Sequence, residues 1–590
     1  MNANWTRWFS AVVFVGPVAL SAPALAVNRH VAAGGSISSA LAASSSGDSV
    51  LVQGGATYAE HLVLKDGVVL RGGYDSAFHW HSLTTTISGS GTGPAVTSGS
   101  TIGSGTVVDG FVLSGGGGSP GAGVIVVGGA PVFRNNRISD TNNAGAAGGV
   151  YVSGGSAARF ERNTIENNTS LGSGGGMRVE QQSNVVLVGN IFNTNVAPHS
   201  GGGLYIVESA VACSSGVFRD CTAGEGGGGG VYVQHATGVS LFGNRFENCT
   251  APYGGGVLVR DESNVSMRGN TFTSCSATFS GGGVGALTFS TLSITDSRFD
   301  GCSAVTGGGL WTLQCQVTVQ GAEATDALPA AYFLNCTATK NGGGLAVSAS
   351  LGAVEAVRFS NCHSDSMGGG LYMLNSGFLI RRNLVDGCSA MEGGGLGLHC
   401  TFPDTTRSHR ACVHSNTFSA CSATGPVNSG AGVTFAAFGN YDGADFAGNI
   451  VTNISQGSCL KCRTTNGTSV TSRPNLEFNT ISRAPGNTAL LLGSTSSNSG
   501  CVTSWQSNPS NQPDANGIGG DGVDPKLCSP IDYRLQACSP ALGTSGGNDG
   551  VCPFAGKLDR GAAPDGVGCP CGLVFAIEPQ TWGQLKARYR

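Results

Sequence analysis

Charge is scarce in this 590-residue chain: only 11% of its residues are Asp, Glu, Lys or Arg, and the formal net charge is −4. No lysine/arginine cluster is present that would neutralise a run of phosphates, which argues against nucleic acid as a partner. Long apolar runs are also missing. After residue 26 no segment offers the ~20 consecutive apolar residues of a membrane-spanning helix. Between the repeats described below, no window sustains the i, i+3, i+4, i+7 stripe of an amphipathic helix.

Glycine is abundant, with 97 residues. It follows no Gly-X-Y period and clusters between short alternating apolar stretches, the mark of a turn-rich β protein. The N-terminus carries Arg7, an apolar run from Ala11 to Leu20 and the small-residue site Ala24-Leu25-Ala26. This pattern predicts a cleaved secretory signal over 1–26 and an exported mature chain from Val27.

A fixed period organises the middle of the chain. Glycine triplets begin at Gly174, Gly201, Gly228, Gly254, Gly281, Gly307, Gly342, Gly368 and Gly393, spaced 25 to 27 residues apart with one interval of 35. A second marker keeps the same beat: a polar or small residue two positions before a large apolar one, as in Asn163/Ile165, Asn190/Phe192, Asn244/Phe246, Asn270/Phe272, Ser297/Phe299 and Asn383/Val385. Segments such as Val231-Tyr232-Val233 and Val239-Ser240-Leu241-Phe242 are too short to bury a core alone, so each unit must stack on the next. The prediction is an all-β, single-stranded parallel β-helix over 27–485, with about three strands per turn. It has an asparagine ladder, an inward phenylalanine column and glycines at tight bends. About sixteen rungs between Val50 and Ile481 give a rod of order 75 Å at ~4.8 Å per rung. A short helix over 36–45, with Ile37, Ala40 and Leu41 on one side, is expected to cover the first rung.

The units GGGLYI, GGGVYV and GGGVLV, each followed by FRDC, FENC or FTSC, resemble the GGA[ILV] and FxxN repeats of the chlamydial polymorphic outer-membrane protein family. That family lies within the pectin-lyase-like superfamily of right-handed β-helices. The resemblance spans roughly 100–425 and implies a surface-exposed right-handed solenoid. Cysteine stands where the family has the asparagine of FxxN, although Asn168 and Asn195 keep it in two rungs. The C-terminal β-barrel of those autotransporters is not seen in the sequence after Ile481.

Eight cysteines are periodic: Cys221, Cys249, Cys275, Cys302, Cys336, Cys362, Cys388 and Cys421. Stacked rungs bring their Cα atoms ~4.8 Å apart, within disulfide range, but parallel Cβ vectors exceed the preferred ~3.8 Å. A column of packed thiols and a set of rung-to-rung bridges both remain open. Cys400 and Cys412 bracket an insertion, and Cys459 and Cys462 form an isolated CxxC without a second zinc-ligand pair. Local disulfides are expected at both places. Cys501, Cys528, Cys538, Cys552, Cys569 and Cys571 are expected to staple an irregular cap over 486–571. An amphipathic tail over 572–590 (QTWGQLKARYR at its end) completes the chain.

Two rows of outward residues are candidate sites. Glu180, Glu208, His235 and Asp261, with Arg260 and Glu262 beside Asp261, follow the glycine triplets by four or five positions. They form either an edge for a sugar or cation or a solvated turn face, and Thr288, Gln314 and Ala349 occupy the place in later rungs. Tyr151, Tyr205, Tyr232, Trp311 and Tyr372 occupy the second position after the glycines. They point outward, to stack on sugars or to pack across rungs. Leu258, Gly285, Ala346 and Gly397 interrupt the line. Many β-helix proteins of the superfamily cleave acidic polysaccharides, yet Asp-Asp pairs and the Asn-Thr-Asp and Gly-His-Gly signatures of polygalacturonases are absent. The expected function is therefore non-catalytic adhesion or recognition of a polysaccharide or protein partner by a monomeric exported protein, without cofactor. The alternatives are a polysaccharide lyase or glycoside hydrolase using Glu180, Glu208, Asp261 and His235, with Ca²⁺ under the lyase reading, and a structural envelope spacer.

Overall fold

The computed structural model describes residues 26–483 except 118–119, 121–122, 142–144, 146, 322–330, 402–410, 426–428, 438–443, 448, 455–457, 465–474 and 478–479. Residues 1–25 of the expected signal, the expected cap over 486–571 and the tail over 572–590 lie outside the described residues.

One turn of the coil shows how the sequence becomes structure. Val231–Gln234 forms a strand of the first sheet, Val239–Phe242 of the second, Arg245–Glu247 of the third and Thr250–Tyr253 of the fourth. Gly254–Gly256 then returns the chain to Val257–Arg260, which lies parallel and in register on Val231–Gln234. Among the described residues the four sheets hold 15, 17, 16 and 9 strands. The fourth sheet corrects the expectation of three strands per turn. It runs from Val196–Ala197 to Ser422–Ala423, where short extended pieces follow the periodic cysteines or, at its start, Asn195.

The three glycines of a triplet serve three physical needs, seen at Gly254–Gly256. Gly254 adopts φ +57, a left-handed conformation that costs an L side chain. A Cβ on Gly255 would lie 2.4 Å from both Gly282 O and Ser276 O, the backbone of the next rung. On Gly256 a Cβ would lie 2.7 Å from Cδ1 of Phe272. The glycine and phenylalanine periods thus agree because each ring of the column fills the space the third glycine leaves.

That column is continuous from Phe192 through Phe218, Phe246, Phe272, Phe299 and Phe333 to Phe359, with ring centroids 4.4 to 4.9 Å apart. All seven rings are fully buried. The asparagine ladder is equally regular. Asn163 Nδ2 donates to Asn190 Oδ1 at 3.0 Å and to Phe133 O at 2.9 Å, while Asn163 Oδ1 accepts from the Asn136 backbone N–H at 3.0 Å. Every buried amide group is thereby paired, as a low-dielectric interior demands.

The periodic cysteines are buried thiols, which decides between the two arrangements left open above. The column begins as a second asparagine ladder: Asn168 Nδ2 donates to Ile138 O at 3.0 Å, and Asn195 Nδ2 to Ile165 O at 2.8 Å. Where cysteine takes over, Cys221 Sγ reaches Phe192 O at 3.6 Å, Cys249 Sγ reaches Phe218 O at 3.4 Å and Cys362 Sγ reaches Phe333 O at 3.4 Å. The thiol keeps the asparagine's bond to the preceding rung in a weaker form. Burial pushes Cys421 up to about 12 and Cys221 and Cys249 well above the ordinary thiol range, and the thiolate is the reactive form. The eight ladder thiols, each fully buried, are expected to resist iodoacetamide in the native protein and all to alkylate in denaturant. Mass shifts across the ladder peptides check this, and an unalkylated pair in denaturant would reveal a bridge. Cys400 and Cys459 also carry buried thiols. Neither is engaged in the local disulfide expected of it.

At the N-terminal end the helix Ile37–Ala43 buries Ile37 and Leu41 against the strands Asn28–Val31 and Ser49–Gln53. Glu60 ties its first turn down, accepting from the backbone N–H of Ile37 and of Ser38, each at 2.8 Å. Burial opposes ionisation of Glu60, but these bonds prevail and hold its carboxyl below the ordinary range.

Candidate functional site

The outward residues of the first sheet form two rows. In the row of the second position, Arg178 lies between Tyr151 and Tyr205, followed by Tyr232, Leu258, Gly285 and Trp311. Two residues on, the other row carries Val207, Gln234 and Arg260 in register, with Glu180 directly after Val179, the partner of Ile206. Glu180 therefore belongs to the sheet face. Glu208, His235 and Asp261 lie one step further, in the turn toward the second sheet, with left-handed φ of 48, 47 and 55. Glu208 and His235 are exposed there. The four residues of the enzymatic reading are thus divided between a face and a turn.

On the face, side chains join into two polar units. Tyr151 Oη donates to Glu180 Oε1 at 2.5 Å, and Arg178 pairs with Glu180 at 2.6 Å. The Arg178 guanidinium lies 4.9 Å from the centroid of the Tyr205 ring, within cation–π range. Further along, Tyr232 Oη donates to Gln234 Oε1 at 3.2 Å, Gln234 Nε2 donates to Asp261 Oδ2 at 2.6 Å, and Arg260 pairs with Asp261 at 2.9 Å. Burial pushes the phenols of Tyr151 and Tyr205 up, and that of Tyr232 up to about 12. All three stay protonated donors at neutral pH. Each acid of the face is engaged by an arginine, which does not fit a Ca²⁺ site, where carboxylates must be free to ligate. Among the described residues no group of three His, Cys, Asp or Glu is placed to hold a metal.

The aromatic line is less exposed than its outward register predicts. Tyr151, Tyr205 and Trp311 are half-buried, whereas Tyr232 is 3% and Tyr372 5% exposed. Tyr232 is covered by its neighbour, stacking on Tyr205 with centroids 5.1 Å apart. Tyr372 sits in a second apolar cluster with Ala346, Met367 and Ala436, its Oη 3.1 Å from His399 Nδ1. Met367 ends a strand of the fourth sheet and closes this part of the face. The same fourth-sheet margin supplies aromatics that the periodic reading missed. Tyr253 stacks on Phe279 at 5.3 Å and lies 6.1 Å from Trp311, and Phe279 is exposed. Their signal in the sequence is their place one or two residues before a glycine triplet. Arg178 and Gln234 were also missed, because neither repeats down its row.

Residues 61–213 and 193–324 match the family model described as "Right handed beta helix region". That match supports a right-handed coil for the parallel β-solenoid of the described residues. No curated protein matches. Among solved structures it is similar to the A-module of mannuronan C-5 epimerase AlgE6 from Azotobacter vinelandii, at 12% identity, covering 59% of this chain and 87% of that one with a TM-score of 0.30. It is also similar to the PL6 family alginate lyase AlyGC (10%, 77% and 93%, TM-score 0.26). A third is PfbA, a surface adhesin of Streptococcus pneumoniae (9%, 74% and 85%, TM-score 0.16).

Proposed function

We propose that the protein is an exported, non-catalytic recognition protein whose first-sheet face, from Tyr151 to Trp311, binds an extended partner, best matched by a polysaccharide. The observation that carries this reading is the pair of tyrosine–arginine–acid units three rungs apart on one face. At the rung spacing they are roughly 14 Å apart. Half-buried rings offer flat apolar surface to a sugar ring, and the arginine and glutamine groups beside them offer directed donors to its hydroxyl or carboxylate oxygens. The rigid ladder holds both units at fixed spacing, so little ordering entropy is lost on binding. Surface location is supported by the signal-like N-terminus and by the resemblance of the repeats to those of the chlamydial family. Among the described residues no helix is long and apolar enough to cross a membrane.

One observation favours an enzymatic second reading: the Tyr151 phenol and the Glu180 carboxylate share a short hydrogen bond, an arrangement able to pass a proton. A screen of the purified protein against acidic and neutral polysaccharides separates the readings. Binding without turnover is expected, with Tyr205→Ala and Arg178→Ala each weakening it about tenfold, equivalent to ~1.4 kcal/mol. Cleavage products that disappear in Glu180→Gln would establish the enzyme. The absence of any binding leaves a spacer.

A further inference from the structure

A second site lies at the N-terminal end, on the corner between the second and third sheets and away from the first-sheet face. Residues 75–84 fold back over this corner as a tight loop. Asp75 Oδ1 accepts from the backbone N–H of Ala77 at 2.9 Å and of His79 at 2.8 Å, Tyr74 and Trp80 form an antiparallel bridge, and the His81 N–H donates to Gly73 O at 3.0 Å. The loop holds up Trp80, which is 67% exposed although it is fixed at its base. Its Nε1 comes so close to Gly73 that a Cβ there would lie 3.3 Å away, and Gly73 has φ +94, so glycine alone gives this floor without strain. Under the loop opens a cleft of about 650 Å³, lined among others by Arg71, Trp80, Thr85, Asp109, Asn135 and Arg137. That volume is within the ~300–1,000 Å³ of small-ligand sites.

One guanidinium of the cleft, that of Arg71, is only loosely paired. Asp109 is taken up by its neighbours: Oδ2 accepts from Arg134 Nε at 3.0 Å and Oδ1 from Asn135 Nδ2 at 2.8 Å. Arg71 Nε stands 3.8 Å from that carboxylate, too far for a hydrogen bond, and is buried without a hydrogen-bond partner. The rest of the Arg71 side chain is 43% exposed, open to an anion in the cleft. Beside it stand an exposed indole plate and a second guanidinium, Arg137, which also pairs with Glu166.

We propose that this cleft binds a carboxylate-bearing sugar residue, a uronic acid unit of an oligosaccharide, with its carboxylate on Arg71 and its ring face on Trp80. The apolar face of a pyranose suits the indole, and a carboxylate is the anion whose geometry a guanidinium fork matches. Calorimetric titration of the full chain with a defined oligogalacturonate and with an uncharged oligosaccharide of the same length tests it. Binding of the acidic ligand alone is expected, weakening as salt rises. Trp80→Ala and Arg71→Met should each lower affinity at least tenfold, and Arg71→Lys should lower it less. Because Trp80 projects into solvent, Trp80→Ala should keep the wild-type melting temperature. Equal affinity for the neutral ligand, no binding at millimolar ligand, or unchanged affinity in a folded Trp80→Ala variant would each overturn the assignment. Loss of affinity in Tyr205→Ala with none in Trp80→Ala would place the acidic ligand on the first-sheet face.

Discussion

Replacing Phe272 with alanine is expected to destabilise the solenoid by about 3–5 kcal/mol, the range for emptying a fully packed aromatic site. Phe272 is the middle ring of seven, 4.6 Å from Phe246 and 4.7 Å from Phe299. Its loss opens a cavity between two rungs and removes two stacked contacts, each worth about 0.5–1.5 kcal/mol beyond burial. The rungs cannot collapse into the space, because the Gly256 and Gly283 carbonyls on either side belong to continuous ladders. Phe272→Leu is expected to cost much less, since Ile165 and Val385 occupy the same column at its two ends. In a repeat array the damage should be local. Hydrogen exchange should rise most at the backbone of residues 245–300 in Phe272→Ala, with the N-terminal rungs little changed. A uniform rise along the chain, or a loss below 1 kcal/mol in urea unfolding, would contradict the stacked-column account.

The inward half of this molecule was legible because its geometry repeats. A position that faces the lumen in one rung faces it in all, so Asn244, Phe246 and Cys249 announce themselves by period alone. The outward half follows local accidents. The turn between the first and second sheets uses one left-handed residue at Glu208 but two at Gln181 and Gln182 and two at Asp261 and Glu262. Counting from the glycines therefore merges Glu180, which faces outward on the sheet, with Glu208, which lies in the turn. Exposure escaped the pattern for a similar reason. Tyr232 and Tyr205 share a register position, yet one is buried and the other half-buried, because cover comes from the neighbouring rung and from the fourth-sheet margin. The cleft at Arg71 lies under a loop that occurs once, where a periodic reading has nothing to compare.

The replacement of asparagine by cysteine down one column shows how the ladder tolerates variation. Asn168 and Asn195 each donate to a carbonyl of the preceding rung, and Asn168 also donates to Asn195 Oδ1; the cysteines beyond them keep the first kind of bond. The second bond is unnecessary once both partners of a rung pair are thiols, since no amide is left unsatisfied. Mixed junctions are the costly ones, because an amide facing a thiol has donors without acceptors. The switch accordingly occurs once along the described column, between Asn195 and Cys221.

Gly255→Ala is expected to be more damaging than any single surface change and to prevent the rung from closing. The middle glycine of every described triplet has the next rung's backbone within 2.6 Å of where a Cβ would stand: Val196 O and Gly202 O at Gly175, Gly282 O and Ser276 O at Gly255, Gly308 O and Ser303 O at Gly282. These obstacles are carbonyl oxygens bound into the ladder, as in Gly255 N–H to Gly281 O at 3.0 Å. Relief therefore requires the rungs to separate and sacrifices several backbone hydrogen bonds at once. A loss above about 4 kcal/mol is expected, in the class of severe core disruptions. Gly243 is the matched control. It has φ +62 with no atom within 4 Å of a Cβ, and its counterparts in other rungs include Arg162 at φ 50 and Arg382 at φ 56, which are not glycine. Gly243→Asn should therefore cost no more than about 1 kcal/mol, since asparagine tolerates this conformation. Soluble yield and melting temperature of the two variants side by side distinguish steric closure from backbone conformation: a Gly255→Ala protein that melts with Gly243→Asn would show that the rungs part easily.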